Sequence, residues 1–423
     1  MAHTALRAGT GIRASWSAAL LRFLAVAGPG VVVAFADTEA GSITTAATSG
    51  AQFGMKLVLL QVLLIVPLFV VQEMTVRLGT ATGKGHARLI REHYGLGWAW
   101  VSLGTMLVTN VAALVTEFAG IAGAALIFGL NPTYLVLAAA AVLLAVIFSG
   151  TYKRAEIAAF GLCLVELLFI PAAFSAHAQP LTILRQGFLG SQPLGNHLYL
   201  LLIASNIGAV IMPWMIFYQQ SATVDKGLKL RDLTFARVDT AIGAVATQII
   251  MIAIVITTAA TLYVRHLQVS DAAQAALALE PLLGRFAGVT FGAALIGASL
   301  LGAFVVSLAT AWAFGEAFEW PCSLNNSCMK AKRFYGLYAA CVLIAAAVVL
   351  IPHLPLIQIT VDVEAFNGFV LPIVLGFLLV MINDKRIIGN YRNSFAANAV
   401  ALSLSGVVIV LGIWMAVTTW IYA

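Results

Sequence analysis

Charge is scarce in this sequence. Only 9% of its 423 residues are Asp, Glu, Lys or Arg, whereas 61% are apolar and the mean hydropathy is +0.99. A soluble domain is typically about 25% charged, so a soluble globular protein, a disordered chain and a fibrous protein are excluded. Cysteine is limited to four residues. Cys322 and Cys328 share a short loop without zinc-site spacing or a flanking His, and Cys163 and Cys341 lie in apolar runs. No loop is long enough for a nucleotide-binding domain and no GxxxxGK[ST] motif is present, which excludes ATP-driven transport within this chain. The alternating segments of a membrane β-barrel are missing as well.

What the sequence does hold is one apolar run after another, each near the roughly 20 residues that a membrane helix needs. The expected fold class is therefore an all-α polytopic membrane protein. The expected spans are 20–50 (interrupted), 55–78, 98–128, 133–149, 157–177, 198–224 (interrupted), 236–264, 282–318, 335–352, 358–382 and 396–421. Arg13 and Arg22 precede the first run as in a signal peptide, but no small-residue cleavage site follows, so the run is read as a span. Residues 1–19 form a short N-terminal segment, and 20–423 form one transporter domain.

The basic residues test this map. Lys56, Arg185, Arg265 and Arg285 fall on one side, and the other 19 of the 23 Lys and Arg fall on the opposite side. The basic side is read as cytoplasmic, which places the N-terminus inside and the C-terminus outside a plasma (inner) membrane. The net charge of +6 is then a topology signal, and no nucleic-acid partner is expected. The eleven spans divide as 5 + 5 + 1, with repeats over about 20–177 and 198–382 and an extra helix over 396–421. The two five-span units have opposite topology. The first span of each is interrupted, at Ala36-Asp37-Thr38-Glu39-Ala40-Gly41-Ser42 and around Met212-Pro213-Trp214. Paired broken helices at matching places in inverted halves point to a secondary transporter's midplane site.

Carboxylates inside the membrane mark function by default. Those that read as deep are Asp37, Glu39, Glu117, Glu166, Asp362 and Glu364. In an extended stretch, Asp37 and Glu39 point to the same side. Together with the carbonyls bared by unwinding they point to a divalent-cation site. The other reading is that one of them pairs with a distant Lys or Arg or caps the following half-helix. Pro213 removes a donor and frees a carbonyl near Ala209, and Met212 beside it offers a thioether. Two readings stand for Glu117: it supports the site from behind a direct ligand, or it caps a neighbouring helix break. Glu364 and Asn367 share one helix face, which lines the pore or meets a neighbouring helix. Glu166 has no nameable partner. The seven His residues (His3, His86, His93, His177, His197, His266 and His353) lie in loops or near span ends, which argues against a midplane His ligand or relay.

These residues resemble the Nramp family of divalent-metal transporters over about residues 28–390. Gly28-Pro29-Gly30 looks like the family's opening of span 1, and Glu39-Ala40-Gly41-Ser42 falls where Nramps have Asp-Pro-Gly-Asn. Gly50-Ala51-Gln52-Phe53-Gly54, Thr82-Gly83-Lys84, Thr116-Glu117-Phe118-Ala119-Gly120 and Asp384-Lys385-Arg386 match further family stretches. Met212-Pro213-Trp214 sits on its Met-Pro-His motif. The departures are Glu39 for Asp, Ser42 for Asn, Trp214 for His, Leu114 for a span-3 Asp, and loss of a second span-6 His at Tyr218-Gln219-Gln220-Ser221. They are similar to the divergent branch that carries magnesium as well as manganese, although Met212 is kept here. The resemblance implies a LeuT-type fold. It also implies metal ligands from Glu39, Met212 and the carbonyls of Ala36 and Ala209. Asp37 is expected in the metal site with them, and Ser42, Glu117, Trp214, Glu364 and Asn367 are expected to line the pore or stand behind the ligands.

The expected function is import of Mn2+, Mg2+ or both as substrate, with no cofactor, by alternating access and without proton coupling. The alternative is a sodium-coupled symporter for an amino acid or similar solute on the same fold. A membrane-embedded enzyme is not expected, because no nucleophile–base pair or His cluster lies at depth.

Overall fold

The structure is a computed structural model describing residues 22–149, 157–159, 161–162, 164–165, 167, 169–175, 178–267 and 286–422. The expectations for Glu166, Cys163, His3, His177, Arg7, Arg13, Lys153, Arg154, Arg285 and the segment 1–19 lie outside the described residues.

The first predicted span is two helices, α1 (Pro29–Ala36) and α2 (Ala40–Phe53). Then come α3 (Val58–Thr82), α4 (His86–Tyr94), α5 (Leu96–Ile127), α6 (Pro132–Phe148) and α7 (Phe169–Ser175). The sixth span is again two helices, α8 (His197–Val210) and α9 (Pro213–Asp225), followed by α10 (Leu233–Thr261). The chain ends with α11 (Phe286–Ala317), α12 (Lys332–Val349), α13 (Leu356–Asn383), α14 (Lys385–Ile388) and α15 (Phe395–Tyr422). Eight helical stretches among the described residues are long and apolar enough to cross a membrane. No strand occurs among them. The helix α4 was not foreseen. Its nine residues are amphipathic and too short to span, and it links α3 to α5 along one end of the bundle.

Both breaks have local causes. Pro213 cannot donate to the turn before it and disfavours helical geometry at Met212, which is extended at φ −85°, ψ 147°. In the first break Asp37 keeps helical angles, and Glu39 turns extended at φ −68°, ψ 176°. The two carboxylates therefore do not share an extended stretch, and the expectation that period 2 aims them to one side is corrected.

Deep polar groups hold the short α1 in place. The Asp239 carboxylate on α10 accepts from the N–H of Gly30 at 2.7 Å and of Gly28 at 3.2 Å. An anion at a helix N-terminus meets the free amides and the favourable end of the dipole. A Cβ on Gly30 would lie 2.6 Å from Asp239 Oδ2, so glycine is what allows this approach. Asp239 was not among the acids read as deep, whereas Asp362, which was, is exposed and accepts from Gln358 at 2.9 Å.

His86 is fully buried where α4 meets α9. Its Nδ1 lies 3.2 Å from Gln220 Oε1, and its ring packs edge-on to Phe217 at 4.8 Å. Burial, only partly opposed by the Gln220 contact, pushes its pKa down to about 4. The unfolded chain binds this proton near pH 6.5 and the folded chain does not, so stability drops as pH falls from about 6.5 towards 4. The loss reaches about 3 kcal/mol at its limit. Thermal melts across that range check this. His86→Gln should flatten the acid limb, and an unchanged limb would show that other groups cause it.

Candidate metal site

The two breaks face each other. The amide of Ala40, which would close the helical turn on Ala36, donates instead to Glu117 Oε2 at 3.3 Å. The Ala36 carbonyl thereby loses its helical partner. Across the gap, Pro213 has no N–H for the Ala209 carbonyl, and the Ser42 hydroxyl donates there at 2.9 Å. Ser42 thus stitches one broken helix to the other. Both carbonyls implied as ligands are left outside helical hydrogen bonding, by a different device in each case.

The carboxylates gather around Glu39. Its side chain lies among those of Glu117 and Glu364, and Asp37 is a weaker electrostatic neighbour. Glu364 reaches this point from α13 and accepts from Asn367 Nδ2 at 3.3 Å, as expected for two residues one turn apart. Glycines make the room. A Cβ on Gly41 would fall 2.1 Å from Glu364 Oε1, and a Cβ on Gly302 would fall 2.0 Å from Glu117 Oε1. All four acids are buried. Among the described residues, no Lys or Arg is an electrostatic neighbour of Asp37, Glu39 or Glu364. Both Glu39 oxygens lack a hydrogen-bond donor, as do Asp37 Oδ1 and Glu364 Oε1. Buried carboxylate oxygens without donors are costly unless a cation or proton compensates them.

Asp37 points elsewhere, towards α3, where Gln72 Nε2 donates to its Oδ2 at 3.3 Å. The same Gln72 amide lies 3.2 Å from Met215 Sδ. Met212 is buried, and the indole N–H of Trp214 donates to its sulfur at 2.8 Å. Trp214, standing where the resemblance has a His, therefore engages one sulfur lone pair and leaves the other. Glu117 combines its two readings, since it caps α2 and also borders Glu39. Among the described residues, no three His, Cys, Asp or Glu side chains are preassembled as a metal cage. The arrangement is a mixed one of carboxylates, bared carbonyls and a thioether.

Several polar residues were overlooked. Asn206 on α8 accepts from Gln61 at 2.5 Å and donates to Ser49 at 2.8 Å. Thr75 donates to Gln219 at 3.0 Å, and Gln219 donates to Thr240 at 3.2 Å. Their signal was available in part, because Gln61 is the one polar residue between Lys56 and Gln72 in the apolar run 55–78. On the other side of the site a cavity of about 620 Å³ is lined by Thr44, Gly120, His353 and Thr360 among others. Thr44, Gly120 and Thr360 lie one helical turn from Ala40, Glu117 and Glu364, so the cavity floor sits directly above the carboxylates.

The profile of the Nramp family, described as natural resistance-associated macrophage protein-like, matches residues 30–418. The chain belongs to the Nramp family. It is accordingly a multi-pass membrane transporter and not an enzyme. A curated relative, the divalent metal cation transporter MntH of Erwinia tasmaniensis, is 31% identical over 297 residues, 67% of this chain and 70% of that one. Among solved structures, a manganese transporter of Eremococcus coleocola superposes with TM-score 0.71 at 17% identity, covering 92% of this chain and 85% of that one. MhsT, solved with L-phenylalanine, superposes with TM-score 0.63 at 15% identity, over 92% and 97%. These likenesses establish the LeuT-type fold, with its five-plus-five inverted halves, for this Nramp chain. Since MhsT binds an organic molecule, L-phenylalanine, on a similar fold, the fold does not choose the ligand and the site chemistry must.

Proposed function

We propose that this Nramp chain imports divalent metal ions, Mn2+ and Mg2+, by alternating access across the plasma membrane. The observation that carries the reading is the set of donor-less carboxylate oxygens of Glu39 and Glu364 beside the two helix breaks, with no Lys or Arg among the described residues close enough to balance them. A bare divalent cation supplies the missing charge and takes oxygen ligands. The ligands are Glu39, Met212 and the carbonyls of Ala36 and Ala209, with Glu364 and Glu117 behind Glu39 and Asp37 turned aside to Gln72. Ser42, Trp214 and Asn367 hold these groups in position. A carboxylate-bearing solute such as an amino acid would meet repulsion here.

The domain is one transporter unit of two inverted repeats, with a cytoplasmic N-terminus and an external C-terminus. The cavity beside Thr44 and Thr360 is the outer vestibule, and the Gln72, Thr75 and Gln219 hydrogen bonds close the inner route. Purified protein in liposomes should take up Mn2+ and Mg2+ but not an amino acid. Absence of metal uptake in a folded, monodisperse sample would refute the reading.

Transport proceeds without a cotransported proton. On α5 no titratable side chain follows between Glu117 and the end at Leu96, and on α11 none lies before Glu316. A proton leaving Glu117 has no relay along either helix. A pH dye inside the liposomes should therefore stay unchanged during metal uptake. Acidification that tracks uptake and vanishes in Glu117→Gln would reverse this and make Glu117 the carrier.

Met212 tunes the choice of ion. Its thioether suits Mn2+ or Cd2+, while Mg2+ prefers oxygen and keeps its waters. Met212→Ala should weaken Mn2+ or Cd2+ binding several-fold and leave Mg2+ nearly as it was. Calorimetry showing equal losses for all three would remove Met212 from the ligand set.

A further inference from the structure

A second cavity lies far from the metal site, at the end of the bundle where α11 stops and α12 begins. It measures about 420 Å³ and is lined by Phe318, Trp320, Met329, Lys330, Lys332 and Arg333, among others. The chain leaves α11 in a tight closure. Glu319 adopts left-handed geometry at φ 58°, and Trp320 N–H donates back to Gly315 O at 2.8 Å. This turn stacks Trp320 on Phe318, with ring centroids 5.5 Å apart.

The charge of this cavity is unbalanced. Its one acid, Glu319, pairs with Arg91 at 3.4 Å, and Arg91 also donates to the Ala317 carbonyl at 2.5 Å. Lys330, Lys332 and Arg333 form no ion pair among the described residues and are exposed. The Arg333 guanidinium sits over the Trp320 ring at 5.4 Å, which holds it at the cavity. Among the described residues, helix α12 opens at Ala331 without a side-chain cap hydrogen bond, which leaves its first-turn amides open to a ligand.

The aromatic surroundings place the cavity at headgroup level. Phe318 touches Trp100 at 5.0 Å, and Trp100 and Trp98 are half exposed at the start of α5. Half-exposed Trp at span ends marks the membrane–water boundary, and this end carries the excess of Lys and Arg. Three unpaired cations around a cavity at that depth match the phosphate of an anionic lipid.

We propose that this cavity binds the phosphate headgroup of an anionic phospholipid of the inner leaflet, held by Lys330, Lys332 and Arg333 against Trp320. The lipid bridges the end of α11 to the start of α12 and so stabilises the bundle.

The test measures thermal melting of the purified full chain in neutral detergent, titrated with phosphatidylglycerol, phosphatidylcholine or inorganic phosphate. Phosphatidylglycerol should raise the melting temperature and phosphatidylcholine should not. Each cation removed should lower the apparent affinity for phosphatidylglycerol about fivefold, so Lys330→Ala, Lys332→Ala and Arg333→Ala combined should lower it roughly a hundredfold. The control pair Lys229→Ala with Arg231→Ala, exposed cations elsewhere on the same side, should keep the wild-type response. Metal uptake in phosphatidylcholine liposomes should survive in the triple variant, which shows that it folds. If the triple variant does not fold, native mass spectrometry of Trp320→Ala replaces it, and that variant should retain less phosphatidylglycerol than wild type. An undiminished phosphatidylglycerol response in the triple variant, or full retention in Trp320→Ala, overturns the proposal. An equal loss in the control pair also overturns it, because the effect would then be general surface charge. Stabilisation by inorganic phosphate equal to that by phosphatidylglycerol would assign the cavity to a free anion instead of a lipid.

Discussion

Glu39→Gln should abolish metal uptake, by at least about a hundredfold, while leaving the fold intact. The substitution keeps the length of the side chain and removes one negative charge. In wild type, Glu39 stands at the extended residue between α1 and α2, buried, with both oxygens free of donors. A divalent ion entering this point leaves its water behind, and the carboxylate charge offsets that dehydration. The amide of Gln offers one neutral oxygen and adds two donors, which turn towards Glu117 and Glu364 and satisfy them. The variant is therefore expected to melt at or above the wild-type temperature, because the crowded carboxyls have gained a donor. Higher stability combined with lost transport is the diagnostic outcome. Uptake near wild type in Glu39→Gln would remove Glu39 from the site.

Much of this site is legible from types and spacing, because inverted halves with matching interruptions leave a strong pattern. Pro213 announces its own break through a missing donor and a restricted neighbour, and the structure shows the carbonyl of Ala209 taken up by Ser42. Glu364 and Asn367 share a face simply because they are three residues apart, and they do meet. What sequence alone does not give is which face of a span looks at which neighbour. Period-2 logic misplaced Asp37 because the break is shorter than expected. Asp37 keeps helical angles, so its carboxylate turns to Gln72 rather than to Glu39. Asp239 was passed over for the same reason. An acid four residues into a span reads as a surface residue near its end, until the amides of Gly28 and Gly30 are brought against it from another helix. Asp362 is the opposite error, because the solvent-facing side of α13 cannot be told from the buried side without its neighbours.

Gly208→Ala should disrupt both stability and metal binding, although the change adds a single methyl group. A Cβ at Gly208 would lie 1.9 Å from the Glu364 carbonyl oxygen and 2.5 Å from the Gly368 amide nitrogen. Both are backbone atoms of α13, so no rotamer change relieves the clash and the helices α8 and α13 must part. Close backbone approach through small residues is a common way for membrane helices to associate, since lipid offers no hydrophobic drive between them. Overpacking of this kind costs about 1–3 kcal/mol where side chains can yield, and here only backbone is in the way. The residue displaced is Glu364 itself, so the push is transmitted to the carboxylate beside Glu39 and to the Asn367 that donates to it. Thermal melting and Mn2+ uptake should therefore fall together. The control, on the facing helix α13, is Gly376→Ala, where nothing lies within 4 Å of the added Cβ. An alanine in open helix surface is neutral or stabilises by up to about 1 kcal/mol. If Gly208→Ala melted and transported like Gly376→Ala, the contact between α8 and α13 that positions Glu364 would be absent from the working transporter.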